Sequence, residues 1–490
     1  MLLSACANFK GIGSNAETKV PGDYATANSL PGQGGQWPTE AWAGKIGGAS
    51  LQVLVDEALA NNPGLQVAAA RVSAARAMAE GAGAAAKPIV AASFSDTYER
   101  FTENGLIPPP YAGHYYSDGE LAFSFSYDFD FWGKHSADLR AAVSDEKAAQ
   151  AEQYNARLML ATAITRSWVQ LARQCDQLDL VEQQQEIRRK IDKLTQLRLK
   201  AGLDTQTEKQ QTILQTAVLR TEQAQWQEAI ALTRNQLAAL IGKGPDRGLS
   251  IARPTLPGDE ALKLPDDLPL ALMGRRPDIV AARWRVEAAQ GGIDAAKTQF
   301  YPNVNISAFI GSSTLGLQNL LRNSSRIDGI EPAISMPIFE GGRLRAQLKG
   351  KVAGYDAAVA TYNQALNDAF HDVADQVQSL RVNATQIESQ HAATQAAAAS
   401  LTLAQQRERV GTTNMLQVLA SESALLTQRK AELDSQARRA DLSVALIKAL
   451  GGGFDARSQD IEPGKHEQAP ASKPAAAATS SIPPVEKTAS

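Results

Sequence analysis

The sequence predicts a mainly α-helical, internally duplicated chain that also carries four β-strands of membrane type. Three observations lead there. First, two tracts, Gly133 to Gly202 and Gly341 to Gly411, contain no proline. In the second, large apolar residues fall at Val352, Tyr355, Val359, Tyr362, Leu366, Phe370, Val373, Val377 and Leu380. Their steps alternate between three and four with one break at Phe370, which is one stripe of a helix and nearly a heptad seam. At about 1.5 Å per residue such a helix reaches roughly 100 Å, far beyond the needs of a compact domain. Second, the chain repeats itself. Third, residues 121–131 alternate strictly between large apolar and small or acidic side chains.

Taken in order, the chain carries Leu3-Ser4-Ala5-Cys6 near its start, which resembles the lipobox of bacterial lipoproteins; residues 1–6 read as the remnant of a signal ending at Cys6, the residue expected to be lipidated and to become the mature N-terminus. Residues 7–50, rich in Gly, Pro and Ala, are expected to be an extended outer segment. A first repeat (51–245) and a second (271–454) follow, joined by a Pro- and Asp-rich linker, 246–270. The correspondence is ordered. Asn62-Pro63-Gly64-Leu65 resembles Arg276-Pro277-Asp278-Ile279, and Pro88 and Pro302 each follow the first proline by twenty-five residues. Phe131-x-Gly133 matches Phe339-x-Gly341, and Gly202 to Gly242 spans forty residues, as does Gly411 to Gly451.

Each repeat therefore reads as a helix of about twenty residues (65–86; 279–299), a strand pair, a long helix and a returning helix. Pro88 and Pro302 end the first helices, because proline biases its predecessor away from helix. Gly133 and Gly341 mark the passage from strand to long helix, and the later glycines suit helix stops. The tail from 455 to 490 is rich in Pro, Ala and Ser and is expected to be disordered.

The strands are placed at about 89–101, 117–131, 303–311 and 329–339. In the second, Leu121, Phe123, Phe125, Tyr127, Phe129 and Phe131 alternate with Ala, Ser and Asp, giving an oily face and a wet face over eleven residues. That length suits a tilted bilayer crossing, and equally a hairpin over a soluble core. The fourth strand carries Pro332 and Pro337, and its parity conflicts with its match to the second. Aromatic residues at Phe131-Trp132 and Phe300-Tyr301, and Tyr111, Tyr115 and Tyr116 in the opposite loop, fit the two girdles of a membrane barrel, or local packing. If the strands span a membrane, four of them leave two unsatisfied edges, each exposed group costing several kcal/mol, and copies of the chain must then pool their strands.

Composition excludes other classes. The chain has 490 residues and a formal net charge of −3, so nothing points to nucleic acid. No run of eighteen apolar residues exists to make a transmembrane helix, a statement that leaves strands open. The five histidines are scattered, and no zinc-protease motif, phosphate loop or nucleophile elbow occurs. His371 and Asp375 share a helix face, but two ligands do not make a metal site, and a solvated pair is the expectation. No catalytic residue, metal or cofactor is expected beyond a covalent lipid at Cys6. Cys175 reads as a small core residue.

Several motifs together resemble the outer-membrane factor family, TolC-like and nearest the NodT/OprM-type efflux lipoproteins. They are Arg275-Arg276-Pro277-Asp278-Ile279, Ala295-Ala296-Lys297 running to Phe300-Tyr301-Pro302, Phe131-Trp132-Gly133-Lys134, Pro337 through Arg343, and Ala449 through Gly453. The resemblance spans about residues 6–454. It implies a homotrimer with a shared twelve-stranded β-barrel in outer-membrane lipid, continuous with a twelve-helix periplasmic barrel. It implies a passive exit duct for small molecules, working with a periplasmic adaptor and an inner-membrane transporter of the resistance-nodulation-division type. It also implies a periplasmic gate just after Gly411. Leu416 falls where OprM-type members carry a constricting leucine. Gln417 and Ala420 fall where relatives carry an acidic ring, so the sequence departs from the family there. Asp204 and Glu208 occupy the equivalent turn of the first repeat, where acids also suit a helix N-terminus. Leu416 equally suits seam packing. Two other readings stand beside this one: a soluble structural coiled coil, and a duct that exports proteins.

Overall fold

The computed structural model describes residues 9–26, 28–258 and 264–463. Cys6 and the tail beyond 463 lie outside them. The elements are helices α1 (Trp42–Asn61) and α2 (Pro63–Ala84), strands β1 (Ile89–Arg100) and β2 (Tyr115–Phe129), then helices α3 (Lys134–Lys200), α4 (Gln206–Ile241), α5 (Asp246–Leu249), α6 (Leu268–Arg275) and α7 (Pro277–Thr298). Strands β3 (Asn303–Leu315) and β4 (Arg326–Ser335) and helices α8 (Arg343–Arg409) and α9 (Met415–Ala449) complete the second half.

The two rods are real. Helices α3 and α8 are each 67 residues long, roughly 100 Å. The apolar stripe read from α8 is the buried one: Val352, Val359, Tyr362, Leu366, Phe370 and Val373 are all buried, and Tyr355, Val377 and Leu380 pack half-buried beside them. Each such side chain contributes about 1.5–3 kcal/mol of transfer free energy when fully buried. The next seam position below Leu380 is polar: Asn383 is buried and donates to the Ser435 carbonyl at 3.3 Å.

The four strands make one antiparallel sheet in the order β1-β2-β3-β4. The helices repeat that order. Helix α3, which follows β2, lies between α2 and α7 near the sheet and between α4 and α9 farther away; α8, which follows β4, packs on α7 and then α9. The protomer is thus a strip four columns wide. The first column is β1, α2 and α4, the second β2 and α3, the third β3, α7 and α9, and the fourth β4 and α8.

Three expectations need correcting. Part of the segment read as extended, 42–50, belongs to α1, which bends where Gly47 and Gly48 leave helical geometry. The glycines hid the periodicity, yet they are required: a Cβ on Gly47 would lie 2.8 Å from Trp168 Nε1. The segment read as a connector, 246–270, holds α5 and the start of α6, so the second repeat's helices begin inside it. Residues 455–463, assigned to a disordered tail, are packed: Ala456 and Ile461 are buried beside Trp284, whose Nε1 donates to the Ile461 carbonyl at 2.7 Å. Proline and alanine composition beyond that point masked a short apolar anchor.

The parity conflict in the fourth strand also resolves. Ile306 pairs with Pro332 and Ala308 with Ile330, so the even positions of β4 share the oily face. The second repeat takes up its one-residue shift in a longer joint, 336–342, against 130–133 in the first. Pro332 sits on the strand at the margin of the protomer's sheet, and Pro337 falls outside the strand.

Candidate functional site, the wall and tip of a duct

Register sorts the sheet into two faces. Paired residues share a face, so Val90, Phe125, Ala308 and Ile330 form one row, and Tyr127, Ile306 and Pro332 another. Phe123, Phe129, Val304, Ile310 and Ile334 extend the same oily surface. The opposite face carries Ser93, Ser124, Ser126, Asn305 and Ser307. No described residue covers the oily face: Val90 is 70 %, Ile330 73 % and Ile334 75 % exposed. A hairpin laid over a soluble core would bury one face, so the soluble alternative fails on this point. Among the described residues strands β1 and β4 have no neighbour on their outer edges.

The joints between sheet and rods are tightly made. Gly133 (φ 76°) and Gly342 (φ 87°) cap α3 and α8 in the left-handed conformation, and Gly341 (φ 58°) precedes the second cap. That conformation costs a side-chain-bearing residue roughly 1 kcal/mol or more. Pro88 immediately precedes β1, and Pro302 precedes β3. Trp132 ties two columns together, stacking on Tyr301 with centroids 4.7 Å apart and donating Nε1 to the Pro302 carbonyl at 2.7 Å. Asp130 was not singled out from sequence. It accepts from the backbone N–H groups of His135 (3.1 Å) and Ser136 (3.0 Å), capping α3 as it leaves the sheet. An acid just ahead of a helix start was the available signal. At the outer end Tyr98 stacks on Tyr115, and Tyr111 meets Tyr116 edge-on.

Halfway along, two columns are spliced rather than continuous. Asn62 accepts from Gly64 N (2.8 Å) and Leu65 N (3.3 Å) to cap α2, while its Nδ2 donates to the Leu240 carbonyl in the last turn of α4 at 2.8 Å. Arg276 takes the equivalent place: it pairs with Asp278 (2.6 Å) and Asp372 (3.2 Å) and reaches the Ala449 carbonyl at the end of α9 (3.4 Å). Burial opposes its charge, but these carboxylates hold its pKa above the usual arginine value. The Asn-Pro and Arg-Pro motifs are thus helix-to-helix joints. Backbones meet closely there: a Cβ on Gly451 would lie 1.9 Å from the Arg275 carbonyl.

At the far tip both hairpins turn alike. Gly202 (φ 74°) and Gly411 (φ 75°) end α3 and α8, with Leu203 N on the Arg198 carbonyl and Thr412 N on the Arg407 carbonyl, each 2.9 Å. Asp204 is held by Arg198, whose Nε lies 3.0 Å from both carboxylate oxygens. Glu208 closes a capping box, accepting from Thr205 N at 2.8 Å, and the Thr205 hydroxyl holds its carboxyl below the usual range. Both acids are therefore engaged within their own turn. In the second turn Asn414 caps α9 through Gln417 N (3.1 Å). Leu416 is half-buried and Gln417 and Ala420 are exposed, while Val418 and Leu419 are buried, Leu419 alongside Ile187 of α3. The structure brings Gln417 and Ala420 onto open surface at the same end as Asp204 and Glu208. Among the described residues no group of three or more potential ligands could hold a metal ion, His371 and Asp375 included.

An amphipathic sheet bare on both faces, continuous with 67-residue helices, defines a membrane-embedded wall segment with a long stem. Comparison with known proteins gives the class its family. The model of the family described as "Outer membrane efflux protein" matches residues 54–243 and 268–452, and the chain belongs to that family. Its members are efflux channels of the outer membrane and not enzymes. The multidrug resistance outer membrane protein MdtP of Escherichia coli K12 is 28% identical over 464 residues, 93% of this chain and 95% of the relative. The fusaric acid resistance protein FusA of Burkholderia cepacia is 36% identical over 321 residues, 65% of this chain and 61% of FusA. Among solved structures, the outer membrane protein VceC of Vibrio cholerae superposes with a TM-score of 0.78 at 38% identity, covering 86% of this chain and all of that one. The CmeC outer membrane channel of Campylobacter jejuni shares the fold, with a TM-score of 0.81 at 20% identity over 92% of this chain and 97% of its own.

Proposed function

We propose that three copies of this chain close one tube that serves as the outer-membrane exit duct of a tripartite efflux system. The observation that carries this is the strip itself, which is open on both sides from sheet to tip. Besides the free edges of β1 and β4, the outermost helices show exposed apolar faces with no partner among the described residues: Leu214, Val218 and Leu232 on α4, and Val382 and Leu403 on α8. Three strips of four strands supply twelve, and twelve helical columns continue them. The solutes are small toxic molecules, in keeping with the names of MdtP and FusA. The chain has no nucleotide-binding motif, so the driving force comes from a partner. The family resemblance assigns that role to an inner-membrane transporter of the resistance-nodulation-division type, joined through a periplasmic adaptor at the tip. There Leu416 forms the resting constriction, with Gln417 and Ala420 replacing an acidic ring.

The same reading includes a lipid on Cys6. Residues 9–24 climb the outside of α8: Lys19 N donates to Asn363 Oδ1 at 2.8 Å, Asn363 Nδ2 to the Glu17 carbonyl at 3.0 Å, and Arg345 to the Lys10 carbonyl at 3.3 Å. Phe9 ends the climb edge-on against Phe300, 5.6 Å away, beside the Trp132–Tyr301 belt. Cys6 is three residues farther along the chain, a separation of at most about 10 Å, which keeps it within reach of the inner leaflet.

Electron microscopy of detergent-extracted particles tests the assembly, with threefold tubes expected. Restoration of drug resistance in a strain lacking its own exit channel tests the role. A monomeric particle, or no restoration despite outer-membrane localisation, would overturn the respective part.

A further inference from the structure

We infer that the strand section of the duct, rather than its tip, is a charge filter that favours cations. This rests on the pooled barrel proposed above. The strand register assigns to the wet face Glu99 on β1, Asp118, Glu120 and Asp128 on β2, and Glu331 on β4. No lysine, arginine or histidine occurs at any strand position of that face. None of the five acids has an ion-pair partner among the described residues. The oily face behaves differently. Its strand charges, Asp96, Arg100, Arg326 and Asp328, balance in sign, and Arg326 pairs with Asp328 at 3.0 Å. The negative sign is therefore confined to the side that faces water.

Aromatic rings stand on the same face. The ring of Phe309 lies over Gly329, where a Cβ would come within 2.8 Å of it, and Tyr116 joins Phe101 and Tyr111 at the outer end. Faces of such rings attract cations and give anions nothing. At the tip the ring positions Gln417 and Ala420 are neutral and Asp204 is paired with Arg198, whereas Glu208 keeps its charge within its capping box and Glu422 lies near the start of α9.

Dimensions decide whether the field reaches a passing solute. Twelve strands tilted by about 40° enclose a wall roughly 24 Å across between backbones. Side chains narrow this further, so the axis lies within about 10 Å of the carboxylates. The screening length is about 8 Å at physiological salt, about 30 Å at 0.01 M and about 3 Å at 1 M. Uncompensated charge on the wall then governs permeation at low salt and is screened away at high salt.

Reversal potentials under a potassium chloride gradient in planar bilayers test the inference. The wild-type channel is expected to prefer potassium over chloride by about threefold or more near 0.01 M, falling toward parity near 1 M. The variant E99Q/D118N/E120Q/D128N/E331Q is expected to lose most of that preference while keeping its conductance at 1 M. Should it fail to assemble, the milder pair E120Q/E331Q is expected to give an intermediate ratio. A wild-type channel without cation preference at low salt, or a neutralised variant that keeps the full ratio, overturns the inference. Trimer formation of the wild type on unheated gels reports separately on the pooled barrel, so failure of that premise is distinguishable.

Discussion

Removing the arginine at the second splice should weaken the protein more than removing the asparagine at the first. Arg276 is 8 % exposed and lies between Asp278 and Asp372, whose side chains are 34 % and 53 % exposed. In Arg276→Ala those two carboxylates regain water, so the loss stays below the 3–5 kcal/mol typical of a fully buried pair. What does not recover is the end of α9, with its Ala449 carbonyl and helix dipole, and the space left by the arginine stem. Together these cost about 2–3 kcal/mol. Asn62→Ala removes a cap with two backbone bonds and one bond to the Leu240 carbonyl, about 1–2 kcal/mol. Denaturant unfolding of each variant in detergent, followed by far-ultraviolet circular dichroism, gives the order. Arg276→Met, which keeps the stem, should fall between wild type and Arg276→Ala. If N62A costs as much as R276A, charge at the second splice adds nothing and the reasoning fails.

Other expectations are more local. A Cβ on Gly311 would lie 2.2 Å from the Leu121 carbonyl, so Gly311→Val should part β2 from β3 and abolish the heat-sensitive trimer on gels. Glu57 is held below the usual carboxylate range chiefly by its hydrogen bond from Arg247, which clasps α5 to α1. Its folded pKa is depressed, so the stability it adds is complete above the unfolded value of 4.5 and is lost as pH falls through the folded one. The melting difference between wild type and Glu57→Gln should accordingly be present at pH 6 and shrink below about pH 4.5. Leu416→Ser should raise the resting single-channel conductance, and an unchanged value would remove Leu416 from the gate. Trp284→Phe keeps the ring but loses the bond to the Ile461 carbonyl, so residues 455–463 should become more sensitive to protease by about fivefold, equivalent to roughly 1 kcal/mol.

Much of the architecture could be read from the chain because long-range order here repeats local order. The stripe from Val352 to Leu380 needs only helical spacing to be seen, and it is the stripe that is buried. The alternation from Leu121 to Phe129 needs only the period of a strand. What escaped depends on contacts between distant residues. The glycines of α1 look like a breaker until Trp168 is placed against them. Ile461 looks like part of a polar tail until Trp284 receives it. The register of β4 was ambiguous because the two repeats differ in the length of the joint that follows. At the tip, Asp204 and Glu208 were candidates by position. Their partners Arg198 and Thr205 lie six and three residues away in sequence, close enough to have been considered.

The alternation of spliced and unspliced columns has a mechanical consequence. Two staves of each strip, α3 and α8, cross the midline as single beams, while the other two, α4 with α2 and α9 with α7, are butted end to end through polar bonds and, at the second joint, a shared apolar core. Widening the far end of such a cask must either flex the solid beams or open the butt joints.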